Sequence, residues 1–317
     1  MNQVNTPEKV FDETDDYWNI FIDREKSPLG CRYNRFLNNK INLKSYHVEE
    51  SKENAKGYLI TFGCSWTFGL GASYESGMSE EEYNKISFDE KLCYNNSWRK
   101  LVSDKLNFEN INFSLPCCSN EAQFMLAEKF FSSKFFKKIK NEKPIIVLWG
   151  ITALSRSMFW SVKSQSYTTI FPTLSQSKFN NKTDELYRKS YYATAFDEQM
   201  RKIELEEKII FWDTVFEQFK IKNFWFDSFC SNDYSAQLKN LIYSSDRNRD
   251  LLYLLCLKNA KRLRKKMKGD VNHMSFGNVD NKKIKFLLNQ GLVNPYTLHP
   301  VKIANQQIAN IFTDVLM

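Results

Sequence analysis

Nothing in this 317-residue chain approaches the apolar length needed to cross a bilayer. Its opening residues, MNQVNTPEKVFDETDD, are polar and acidic where a secretory signal would be basic and then apolar. A soluble, cytoplasmic protein without a membrane partner is therefore expected. Cysteine is present but unorganised: Cys31, Cys64, Cys93, Cys117, Cys118, Cys230 and Cys256 form an odd number with no CxxC pair. That pattern fits reduced thiols and speaks against a disulfide framework or a zinc site, so no metal and no cofactor is expected. Histidine is scarce, with His47, His273 and His299 making up the whole set. Internal repeats and extended low-complexity tracts are also missing, which excludes solenoid and array architectures.

Distributed positive charge is lacking too, despite a formal net charge of +8. Lys258, Lys261, Arg262, Arg264, Lys265, Lys266 and Lys268 supply seven positive charges in one run, and eight less these seven leaves +1 for the rest. The run closes a helix expected from Asp250 to Lys268, an order of charge that complements the helix dipole. No aromatic side chains are interleaved there to stack on bases, so a solvated helix end is the reading and no nucleic-acid partner is expected.

What is present is an α/β pattern. Tyr58 to Gly71, YLITFGCSWTFGLG, runs from a strand-like segment into a Gly-Cys-Ser turn. A serine in such a turn at the carboxyl end of a parallel strand has an exposed hydroxyl beside free backbone N–H groups, which makes Ser65 the candidate nucleophile. The same residues also make an ordinary strand-to-helix turn. The acidic, turn-rich stretch Ser73 to Asn96 would overhang that site. Ser97 reads as the N-cap of a helix carrying Trp98, Leu101, Val102 and Leu106. A short strand at 110–115 precedes one long helix, with Phe124, Phe130, Phe131, Phe135 and Phe136 on its apolar face. PIIVLW, 144–149, is an unbroken apolar run of the kind buried on both faces of a parallel sheet. Residues 164–183 read as a polar loop, 184–220 as helical, KNFWFD (222–227) as a strand ending in Asp227, and the segment after His299-Pro300 as an amphipathic helix. This order predicts a three-layer, flavodoxin-like α/β/α domain over 58–317, with a helical insertion at about 157–221 and an N-terminal extension, 1–57, packed on it.

Four blocks of this chain resemble the SGNH or GDSL hydrolase superfamily. GCS at Ser65 is similar to that family's Gly-Asp-Ser turn. NFSLPCCSN (112–120) is similar to its second block, LWGITALSR to the third, and LHP at His299 to the last. The resemblance implies a serine hydrolase acting on a small-molecule or glycan ester, with a glycan acetyl ester as one candidate. Ser65 would attack and His299 would serve as base. Backbone N–H groups at Ser65 and Cys117, helped by Thr152, would hold the oxyanion, and Asn120 would meet the substrate. Separately from the resemblance, Arg156 follows the third strand closely enough to bind a substrate's carboxylate or phosphate group, or else is a surface arginine paired with an acid. The departures are specific. Cys64 stands for the aspartate, Cys117 for the oxyanion glycine, and Ile151 or Thr152 for the asparagine donor. NPYTL before His299 holds no carboxylate. A binding or structural module on the same fold, with Tyr167, Phe171, Tyr191 and Tyr192 meeting carbohydrate, is the alternative.

Overall fold

The computed structural model describes residues 52–255 and 286–317, apart from 88, 117, 162–165, 173–181, 231, 233, 235–237, 243–249, 252 and 253. Most of the N-terminal extension, Cys117, His47, His273 and the basic run at 258–268 lie outside the described residues. In chain order the strands are β1 (Gly57–Phe62), β2 (Phe108–Asn112), β3 (Ile145–Ile151), β4 (Ser157–Ser161), β5 (Ser166–Ile170) and β6 (Lys222–Asp227). The helices are α1 (Ser65–Phe68), α2 (Glu80–Ile86), α3 (Glu90–Asn95), α4 (Trp98–Leu106), α5 (Asn120–Ser132), α6 (Lys134–Ile139), α7 (Lys182–Thr194), α8 (Glu198–Gln218) and α9 (Lys302–Leu316).

Four parallel strands form one sheet in the order β2-β1-β3-β6. Alternate side chains serve two cores. Ile60, Phe62, Val147, Trp149 and Trp225 pack under α5, α6 and α8, whereas Leu59, Ile146, Leu148 and Phe226 pack under α4 and α9. The protein is therefore a three-layer α/β/α fold with flavodoxin-like strand order. The order reverses between β1 and β3, which is where such sheets open a crevice for ligands.

Just below that crevice a row of rings crosses the sheet. Phe113 stacks on Phe62 at 5.0 Å, Phe62 on Trp149 at 4.2 Å, and Trp149 on Trp225 at 4.7 Å. Strand register aligns Phe62 with Trp149 and Trp149 with Trp225, so the row follows from parallel pairing of large residues at one level. The indole N–H groups donate to Asn223 and Asp213, so this aromatic floor is also satisfied in polar terms.

Two expectations change. The single long helix is broken, because Ser133 leaves helical geometry and caps α6 by accepting the Phe136 N–H, giving α5 and α6. Within the loop read at 164–183, residues 166–170 pair as β5 against β4 in an antiparallel hairpin. The segment at 157–221 is thus not purely helical, and its last helix is a layer of the domain: Leu205, Ile209, Trp212 and Phe216 of α8 lie in the core. The stretch at 73–96 contains α2 and α3, and Ser79 and Glu82 close a capping box on α2.

Candidate active site

β1 delivers Ser65 as the first residue of α1. The turn before it is tight, because any Cβ on Gly63 would collide with the Thr67 side chain. Cys64, at the N-cap, makes no side-chain capping bond, which leaves the first N–H groups of α1 unclaimed by a cap. The other end of α1 is fixed by Arg99 of α4, which is 1% exposed. Its Nε donates to Thr67 O at 2.7 Å, Nη2 to Phe68 O at 2.9 Å and Nη1 to Asn110 Oδ1 at 2.7 Å. A cation on the terminal carbonyls of a helix matches their partial negative charge.

α4 also holds the far end of the chain. The Trp98 N–H donates to Asn305 Oδ1 at 3.0 Å, while Asn305 Nδ2 donates to Pro300 O and Val301 O. The loop before α9 turns on Asn294, whose Oδ1 accepts the Tyr296 and Thr297 N–H groups, and Leu298 takes a left-handed φ of 58°. Gly71, at φ 95°, lies flat against this loop, since a Cβ there would come within 2.7 Å of His299 Cβ.

The two segments meet. His299 Nε2 and Ser65 Oγ are 2.7 Å apart, 234 residues distant in sequence. Ser65 is buried and His299 is half-buried. His299 Nδ1 is itself buried and makes no hydrogen bond among the described residues. Burial first, and Arg156 second, disfavour the imidazolium and push it down to about 3, while the Thr297 carbonyl works the other way.

Thr152 follows β3 with its hydroxyl buried and without a partner among the described residues. Its backbone is clasped by Asn120, whose Oδ1 accepts the Thr152 N–H at 3.0 Å and whose Nδ2 donates to Thr152 O at 3.1 Å. The Asn120 amide thereby braces the loop after β3. Arg156 is not a surface arginine. It is 3% exposed, donates through Nη1 to Cys118 O and lies 5.0 Å from the Phe229 ring centre. Asp227, at the end of β6, accepts from the Asn232 N–H, Asn232 Nδ2 and Tyr234 hydroxyl, and burial pushes it up to about 7. No described carboxylate is hydrogen-bonded to His299.

No family model and no curated protein matches the chain. Two solved structures are similar to it. One is an acetyl xylan esterase, AlAXEase, 11% identical, with 82% of this chain and 100% of that one covered and a TM-score of 0.35. The other, from Desulfitobacterium hafniense DCB-2, carries the description of a lipolytic protein of the G-D-S-L family; it is 13% identical, with 82% and 99% covered and a TM-score of 0.29.

Sequence reasoning missed Arg99, Asn305 and the Asn120 clasp. Arg99 lies in WRKLVSDKL, where it reads as one charged residue on a helix face, and only tertiary packing buries it. Tyr191 and Tyr192 bind the insertion to the segment after β3: Tyr191 pairs with Ser157, and the Tyr192 hydroxyl donates to Ser155 O. The Tyr167 side chain lies outside the described residues. Among the described residues no cluster of three His, Cys, Asp or Glu side chains could hold a metal, and no helix is long and apolar enough to cross a membrane.

Proposed function

We propose that this protein is an SGNH-type serine hydrolase that cleaves an ester, with an acetyl ester on a glycan as the substrate class. The observation that carries the reading is the 2.7 Å contact between Ser65 Oγ and His299 Nε2 at the switch point of the sheet. Ser65 attacks the acyl carbon while Nε2 takes the hydroxyl proton. The bond to the alcohol oxygen then breaks, and the alcohol leaves with that proton. Water, giving its proton to Nε2, splits the acyl-serine ester, and Ser65 regains its proton as the acid is released. The oxyanion is met by the first amides of α1, by the Cys117 amide that the family resemblance implies, and by the Thr152 hydroxyl. Asn120 serves by holding the Thr152 loop, and Arg156 by tuning His299.

A fluorophosphonate probe tests this reading. Wild-type protein is expected to be labelled at Ser65 and Ser65→Ala is not. Equal labelling of the two would favour the alternative, a non-catalytic binding module, towards which an Nδ1 with no partner among the described residues points.

The pH profile has a sign that follows from His299. The base works in its neutral form, so activity is present above its pKa and is lost as pH falls through it. Because burial and Arg156 hold the imidazole down at about 3, kcat/KM for p-nitrophenyl acetate is expected to stay flat from about pH 5 to pH 8. An acid limb centred at the ordinary histidine value, about 6.5, would contradict that environment.

A further inference from the structure

Among the described residues no carboxylate is bonded to the imidazole to fix its tautomer, yet for Nε2 to accept the Ser65 proton, the resting proton must sit on Nδ1. An Nδ1–H needs an oxygen to face. What the ring faces depends on the turn 294–299, in which the Thr297 N–H, two residues before His299, donates to Asn294 Oδ1. That turn is braced from outside by the segment between α1 and α4. Tyr83 of α2 is fully buried, and its hydroxyl lies 3.3 Å from Thr297 Oγ1. Gly71, between α1 and α2, abuts His299. The Tyr83 hydroxyl therefore ties α2 to the turn that carries the imidazole. Tyr296 adds a second strut, its hydroxyl donating to Met78 O at 2.9 Å, and the rings of Tyr74, Tyr83 and Tyr296 pack on one another. Burial pushes the Tyr83 hydroxyl up to about 12, so it remains neutral and acts by hydrogen bonding, not by proton transfer.

We propose that Tyr83 is a positioning residue for His299: by holding Thr297, two residues before the histidine, it fixes the turn that sets the imidazole on Ser65, in the orienting role that a carboxylate fills in a complete triad. The 73–96 segment is then a buttress for the base, not only a cover over the site. The inference rests on the Ser65–His299 reading of function, but its test has a readout independent of turnover.

The experiment is nitrogen-15 NMR of the histidine side chains in the full chain. The chain has three histidines, so His299 is assigned by the signals lost in His299→Gln. The expected result for wild type at neutral pH is a neutral ring protonated mainly on Nδ1. Tyr83→Phe and Thr297→Val, which remove one hydroxyl each, are both expected to move the tautomer ratio towards Nε2–H. They should also lower kcat for p-nitrophenyl acetate about tenfold, with KM within about twofold. The double variant should resemble either single variant, because one link is broken in all three. Unchanged His299 nitrogen signals in both single variants would overturn the proposal. So would equal losses that simply add in the double variant. Failure of Ser65 labelling alongside a tautomer shift would sink the hydrolase reading and leave the positioning role standing.

Discussion

Removing Ser65 and His299 together is expected to cost no more activity than removing either alone. The two act as one unit, since the hydroxyl is a weak nucleophile without the imidazole and the imidazole has nothing to activate without the hydroxyl. The size of the single loss is informative. In a serine protease triad the histidine is worth about 10⁶ in kcat and the acid alone about 10⁴, so a site that had merely lost its acid would retain about a hundredfold dependence on its histidine. Here the imidazole is not left loose. Gly71 packs against the Cβ and backbone of His299, the Asn294 N–H donates to His299 O at 2.8 Å, and Nε2 lies 2.7 Å from Ser65 Oγ. His299→Ala is therefore expected to lower kcat/KM for p-nitrophenyl acetate by about 10³ to 10⁴, above the hundredfold of an unsupported pair. Ser65→Ala and the double variant should fall to the same level. Additive losses, or a His299→Ala effect below about tenfold, would mean that the two residues touch without working together.

The elements that bring the pair together differ in how well they showed in the sequence. The unbroken apolar run of β3, and the shorter apolar stretches within β1 and β6, made these strands legible, because buried strands of a parallel sheet need such residues and little else. The Ser65 turn and the final helix were legible for a similar reason: glycine, serine and the His-Pro step are local signals. β4 and β5 were not, since Ser157–Ser161 and Ser166–Ile170 owe their pairing to each other and to α7, with Phe159 stacked on Tyr187 at 4.3 Å. The break at Ser133 was masked by apolar spacing that continues across it, although serine is a residue that caps readily.

The polar braces were the least visible part of the site. Asn120 stands at the start of a helix and looked free to meet a ligand, but the loop after β3 folds back onto it and uses both ends of its amide. Tyr83 sits in an acidic, turn-rich stretch that signals solvent, and yet it is fully buried. Asn305 appeared as a polar interruption in an amphipathic helix, whereas it is 1% exposed and spans α4 and the residues after His299. In each case the partner is more than thirty residues away, or on another element, so neither periodicity nor local spacing carries the signal.

Arg99 is the extreme of this class and the place where a single change should do most harm to the fold. Arg99→Met keeps much of the aliphatic bulk but removes the guanidinium, leaving Thr67 O, Phe68 O and Asn110 Oδ1 without their buried donor. An unsatisfied buried acceptor costs about 1–3 kcal/mol, partly offset here because the cation no longer has to be desolvated. A net loss of about 3 kcal/mol is expected, a large share of the 5–15 kcal/mol typical of a folded domain. Urea unfolding would read it as a lower midpoint at unchanged slope. Arg99→Lys should recover part of this loss at most. One ammonium keeps the charge at the end of α1 but lacks the planar fork that reaches two carbonyls and an amide oxygen at once. Because those carbonyls belong to the helix whose first residue is Ser65, both variants should also slow fluorophosphonate labelling under conditions where they remain folded. A variant with wild-type stability and wild-type labelling would show that α1 is held by the sheet and its ring packing alone.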